Sequence, residues 1–145
     1  SERDILGTNR LLDKIKSFLK NETILNAFVL SPFIMRKFIN IINRYKPSVI
    51  LAYANAIYEL ANFAKNENIK VTNQSSIIST SGVLYPFLRE KIETTFGCKV
   101  YDQYGSREVS CIASECEYGN GLHISEETII LEIVDENGEG LAPRI

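Results

Sequence analysis

The sequence predicts an α/β fold: a three-layer, largely parallel sheet with flanking helices, followed by a short antiparallel β segment. Three observations carry this reading. The short apolar run at 48–52 and the short segments 76–80 and 99–102, with Ile77, Ile78, Val100 and Tyr101, have the length and the β-branched or aromatic content of strands. Between them, apolar residues recur at helical spacing, and such alternation makes a parallel sheet with right-handed crossovers. Beyond Glu108 the alternation stops, and Asn137-Gly138 supplies the positive φ angles of a tight hairpin turn.

Each element has its own signal. Leu11, Leu12, Ile15, Phe18 and Leu19 repeat at helical spacing behind Thr8, so a first helix is expected there. Residues 23–30 are apolar and β-rich, and they end at Ser31-Pro32. Serine accepts a bond from an orphan N–H at a helix start, and proline fits the first turn because its missing N–H has no partner there. The helix so opened runs to about Tyr45, burying Ile34, Phe38, Ile41, Ile42 and Tyr45 and turning Arg36, Lys37 and Arg44 to solvent, and Pro47 stops it. The continuous run 48–52 has the pattern of a strand covered on both faces.

Ala54, Ile57, Tyr58, Ala61 and Ala64 form the stripe of a third helix, and the polar stretch 65–73 leads to the strand 76–80. Pro86 opens a fourth helix with Leu84, Leu88, Ile92 and Phe96 on one side and Gly97 in the left-handed cap position. The strand 99–102 follows. Residues 128–134, with the Asn-Gly turn behind them, read as antiparallel structure, and a further strand is expected from Leu141 onward.

Composition narrows the function. At 145 residues with 45% apolar content, the chain can bury one ordinary core. A net charge of -2, with lysines scattered among acids, argues against a nucleic-acid partner. No apolar run is long enough to span a bilayer and no signal peptide opens the chain, so no membrane partner and a cytoplasmic location are expected. Three cysteines without a Cys-x-x-Cys spacing do not make a disulfide framework. The chain begins without methionine and stops just after a hairpin signal, so a piece of a longer polypeptide is expected.

The densest chemistry lies in Asp102-Gln103-Tyr104-Gly105-Ser106-Arg107-Glu108. An adenine needs a flat partner and a polar group for its amine, while phosphates need close backbone approach and a metal held by a carboxylate. This stretch offers all of these where a strand becomes a loop, at the carboxyl end where open α/β sheets bind ligands. The plainer alternative is a glycine turn after a strand, with Asp102 bonding its own backbone, Tyr104 in a core and Glu108 a surface acid. Ser79-Thr80-Ser81-Gly82 is not a phosphate-binding loop, since it lacks the several glycines and the lysine.

The run from Ile77 to Gly82, the helix ending at Gly97, and the run from Lys99 to Glu108 together resemble the adenylate-forming acyl-CoA synthetases. The resemblance is strongest to their phenylacetate-CoA ligase branch, which includes proteins of capsular polysaccharide biosynthesis. Tyr45-Lys46-Pro47-Ser48-Val49-Ile50-Leu51-Ala52-Tyr53 upstream, and Glu115-Cys116 with Gly121-Leu122-His123-Ile124 downstream, extend it from about Ser31 to the end. It implies that residues 1–125 are an α/β subdomain of the large N-terminal adenylation domain and that 126–145 begin an antiparallel segment.

It also implies roles. Tyr104 lies along adenine and ribose, Asp102 accepts from the adenine amine, Glu108 ligates magnesium, and Ser81, Gly82 and Val83 border the adenine and the acyl group. Gln103, Gly105 and Ser106 complete the nucleotide side. Arg107 departs from the family pattern, which has threonine or serine before the glutamate; arginine or Ser106 then has to contact the phosphate. The implied reaction activates a small-molecule carboxylate with MgATP and passes the acyl group to coenzyme A. The phosphate loop and a mobile lysine-bearing domain would come from the rest of the same polypeptide, so the isolated piece is expected to be inactive. A non-catalytic interaction or scaffold module of the same shape is the rival reading.

Cys111, Cys116 and His123 form a Cys-x4-Cys-x6-His array whose thiolates and imidazole suit zinc, with Glu115, Glu117 or Cys98 as a fourth ligand. The alternative is ordinary loop cysteines and a hydrogen-bonded histidine.

Overall fold

The computed structural model describes residues 19, 21–72 and 74–141. The expected first helix lies outside them except for Leu19, and so does the strand expected from Leu141 onward except for Leu141 itself. The elements run α1 (Pro32–Tyr45), β1 (Val49–Tyr53), α2 (Ala54–Asn66), β2 (Ser76–Thr80), α3 (Pro86–Phe96), β3 (Lys99–Ser106), β4 (Ser110–Glu115) and β5 (Leu122–Ile124). They form a mixed α/β fold around one five-stranded sheet in the order β1-β2-β3-β4-β5. The β1, β2 and β3 strands are parallel, while β4 and β5 join antiparallel. No described helix is long and apolar enough to cross a membrane.

The helix ends follow the sequence signals. Ser31 Oγ accepts from the Ile34 N–H at 3.4 Å, Pro32 opens α1, and Lys46 closes it in the left-handed region. Gly97 closes α3 at φ 66° and donates its N–H to the Glu93 carbonyl at 2.8 Å, a cap that costs a Cβ-bearing residue more.

Register decides the faces. Ile50 pairs with Ile77 and Ile77 with Val100, so these three point to one side of the sheet. That side meets Ile39 and Ile42 of α1, Ile57, Leu60, Ala61 and Ala64 of α2, and Leu88, Ile92 and Phe96 of α3 in a single core. Several helix residues differ from the sequence reading. Ile39, absent from the expected face of α1, is fully buried, whereas Tyr45 is 42% exposed and donates its hydroxyl to the Asn21 carbonyl at 2.6 Å. A 3.6-residue period leaves two rows at the margin of a stripe, and the tilt of α1 on its neighbours selects between them.

Three further expectations change. Only one face of 48–52 is covered among the described residues: Val49, Leu51 and Tyr53 are exposed on the other, with Leu51 65% exposed. Residues 23–30 form no strand despite their β-rich composition, and Phe28 lies edge-on to Tyr53 of β1 at 5.9 Å between ring centres. Residues 128–134 contribute one antiparallel bridge, Val134 to Gly140, and the antiparallel pairing begins earlier, at Ser110. β4 and β5 are short and half-polar, which left them without an alternating signal.

Candidate functional site

β3 changes partner in the middle of the motif. Lys99 to Asp102 pair with β2, and Gln103 to Ser106 pair with β4, with a register shift between Tyr104 and Gly105. Gly105 and Ser106 are therefore strand residues, not loop residues as the sequence reading had them, and only 107–109 form the turn. A bulge of this kind re-aims side chains at a strand end. A Cβ on Gly105 would lie 2.1 Å from the Ser110 carbonyl oxygen, so only glycine lets the strands meet here.

Two loops leave the sheet at the same end. Ser79 is in register with Asp102, so Ser81, just past β2, and Tyr104, in the part of β3 paired to β4, each lie two residues beyond the end of that parallel ladder. Ser81 has φ 55°, and Gly82 stands so that an added Cβ would meet Ala54 Cβ at 3.5 Å. Ser81, Gly82 and Val83 are exposed, and Leu84 anchors the loop in the core.

Alternation sorts the motif by face. Asp102 and Tyr104 follow Val100 on the helix-bearing side, whereas Gln103 lies on the other side with Tyr101. Tyr104 is 57% exposed, an aromatic surface open to a planar ligand. Burial, then the Glu115 carboxylate, pushes the Asp102 carboxyl above its ordinary value, with Arg89 opposing. At the hairpin tip, Arg107 and Glu108 are exposed. The Glu108 backbone N–H, then the Ser106 hydroxyl and the Arg107 charge, hold its carboxyl below the ordinary value. These contacts favour the ionised form of Glu108.

The sequence reading missed the groups that hold Asp102 in place. Past the point where β4 ends, the side of β3 facing it is completed by side chains. The Glu93 carboxylate accepts the Val100 N–H at 3.0 Å, Arg89 Nη1 donates to the Val100 carbonyl, and Glu115 Oε2 accepts the Asp102 N–H at 2.8 Å. Arg89 Nη2 reaches both Glu115 oxygens at 2.8 Å. The available signal was a polar i, i+4 pair, Arg89 and Glu93, flanking the buried stripe of α3.

The cysteine array is divided. His123 Nε2 lies 3.0 Å from Cys116 Sγ, while Cys111 Sγ lies 4.0 Å from Ser125 Oγ. Among the described residues no three His, Cys, Asp or Glu side chains gather as a metal set, and Glu115 is already engaged by Arg89. His123 pairs with Ser114, which itself pairs with Gln103, so the Cys116–His123 pair belongs to the sheet face opposite Asp102 and Tyr104.

No protein-family model matches the chain. Protein CapK of Staphylococcus aureus is 24% identical over 119 residues, covering 81% of this chain and 26% of that protein. A 2-hydroxyisobutyryl-CoA ligase crystallised in an open conformation with 2-HIB-AMP and CoA superposes with a TM-score of 0.63 at 20% identity, covering 79% of this chain and 28% of that one. An anthranilate CoA ligase in complex with anthranoyl-AMP gives 0.64 at 14% identity, covering 78% and 23%. The chain thus spans about a quarter of the length of these relatives. The resemblance in the sequence holds in three dimensions: this chain has the fold of one part of the adenylate-forming acyl-CoA ligases.

Proposed function

We propose that the chain supplies the adenine and magnesium–phosphate side of an ATP-dependent carboxylate–CoA ligase site of the phenylacetate-CoA ligase type. The observation that carries this is the placement of Asp102, Tyr104 and Glu108 around a bulge at the carboxyl end of a sheet whose fold matches ligases crystallised with acyl-AMP. Tyr104 stacks on adenine and Asp102 accepts from its amine. Glu108 would hold a magnesium ion, which would neutralise phosphate charge, and Ser106 and Arg107 lie next to it in the chain to contact phosphate oxygens.

In the first step the substrate carboxylate oxygen attacks the α-phosphorus of ATP and pyrophosphate leaves. In the second the sulfur of coenzyme A attacks the acyl carbon, its proton passes to solvent, and AMP leaves. This segment orients the nucleotide and balances its charge. The phosphate loop and a lysine for the α-phosphate come from other parts of a longer polypeptide. The exposed apolar side of β1 at Val49, Leu51 and Tyr53 suits burial against that remainder.

The test is carboxylate-dependent exchange of labelled pyrophosphate into ATP by the full-length polypeptide, across a panel of aromatic and small acids. Magnesium-dependent exchange with at least one acid is expected. Saturable AMP binding without any exchange would favour a non-catalytic module, and neither would overturn the reading.

A further inference from the structure

We propose that Arg89 and Glu115 are positioning residues for adenine recognition, holding the β3 backbone so that the Asp102 carboxylate faces the exocyclic amine. This rests on the ligase reading above and adds two residues to it.

Asp102 is the last residue of β3 paired to β2, and Gln103 is the first paired to β4. Such a changeover is where a strand's backbone is least constrained, because neither ladder extends across it. The N–H of Asp102 points away from β2, and its acceptor is one carboxylate oxygen, Glu115 Oε2, at 2.8 Å. That carboxylate is fixed in turn by a two-pronged contact from Arg89 Nη2, at 2.8 Å to each oxygen. Arg89 also spends its other terminal nitrogen on the Val100 carbonyl, tying α3 to the same strand two residues earlier. The side chains of Arg89 and Glu115 are only 30% and 13% exposed, so the pair is shielded and its geometry is held more firmly than that of a surface ion pair.

The chemistry requires a clamp rather than mere packing. Asp102 and Glu115 are like charges on the same face of neighbouring strands, which by themselves repel. Arg89 offsets that repulsion. Without the Arg89–Glu115 pair, Asp102 would retain its place in the fold through β2 but lose the bond that sets its angle. A misdirected acceptor discriminates poorly between an amine and a carbonyl at the same ring position, which is the difference between adenine and hypoxanthine.

The experiment compares ATP with inosine triphosphate in pyrophosphate exchange by the full-length polypeptide, as a ratio of kcat/KM values. Wild type is expected to prefer ATP. In Glu115→Gln, which keeps an acceptor but removes the charge that Arg89 grips, the preference is expected to fall by about tenfold, the worth of one well-aimed hydrogen bond. Arg89→Lys, which keeps the charge but not the fork, is expected to fall in the same direction and guards against misfolding of the first variant. An unchanged ratio with both rates reduced equally would mean that the pair only stabilises the fold, and would overturn the inference while leaving the ligase reading intact. Absence of exchange and of nucleotide binding in wild type would overturn both.

Discussion

Gly105 and Ser110 approach so closely across the β3–β4 hairpin that any side chain on Gly105 would collide with the Ser110 carbonyl, at 2.1 Å from a Cβ. Ser110 itself sits at φ 67°, a left-handed conformation that a residue with a Cβ adopts at some cost. Gly105→Ala is therefore expected to destabilise the chain by about 1–3 kcal/mol, as overpacking does, and to shift the hairpin that carries Glu108. Denaturant unfolding reads the first effect and amide chemical shifts of 103–111 the second. Unchanged stability and shifts would mean that the hairpin yields without cost.

Tyr104 is exposed and outside the core, so its loss is expected to affect ligand and not fold. Tyr104→Ala should weaken AMP binding by about 1–3 kcal/mol, the usual worth of a base–aromatic stack, while Tyr104→Phe keeps most of it. Calorimetric titration with AMP measures both. Equal binding by the alanine variant would remove Tyr104 from the slot.

Glu108 carries its charge at an exposed turn where Ser106 and its own N–H favour the ionised form. Glu108→Gln should raise the magnesium concentration for half-maximal exchange on the order of tenfold or more, with no change in thermal melting. A shift in melting without a shift in the magnesium requirement would make Glu108 a structural residue of the turn.

Asp102 gives a signed pH effect. Burial and Glu115 raise its carboxyl above the ordinary 3.8, so the folded chain keeps the proton to a higher pH than the unfolded chain does. Its contribution to stability is fully present below the unfolded value and is lost as pH rises through the folded one. Asp102→Asn should flatten the stability profile over that window and leave the chain at least as stable at neutral pH. A steeper profile in the variant would contradict the assignment.

Cys98 is expected to react slowly in the folded chain. Burial, and then the Glu93 carboxylate, pushes it from 9.0 to about 11, which lowers its thiolate fraction about 100-fold at pH 8 relative to the denatured chain. Timed alkylation followed by peptide mass spectrometry should find Cys98 protected in the native state and labelled in denaturant. Rapid native labelling would place it at a more open position.

Local chemistry settled much of this protein without help from tertiary structure. Ser31-Pro32, Gly97 and the stripe Leu84, Leu88, Ile92 and Phe96 act within a turn or two of chain, so the bounds of α1 and α3 and the core face of α3 follow from residues close in sequence. The parallel order of β1, β2 and β3 follows from the strand–helix alternation. The motif from Asp102 to Glu108 stood out in the sequence because its polar, aromatic and glycine residues are contiguous.

Whatever depended on pairing between distant strands was decided only by tertiary structure. The register of β4 on β3 and of β5 on β4 placed Gly105 against the Ser110 carbonyl and set Cys116 and His123 on the sheet face opposite Asp102 and Tyr104. Cys111, Cys116 and His123 look like one set along the chain, yet His123 meets Cys116 while Cys111, beyond the β3–β4 bulge, meets Ser125 instead. The clamp of Arg89 and Glu115 spans 26 residues and joins a helix to a strand that carried no clear signal of its own. Side-chain period can be read along a chain, but which strand lies alongside which, and in what register, is set by the free energy of the whole packed sheet.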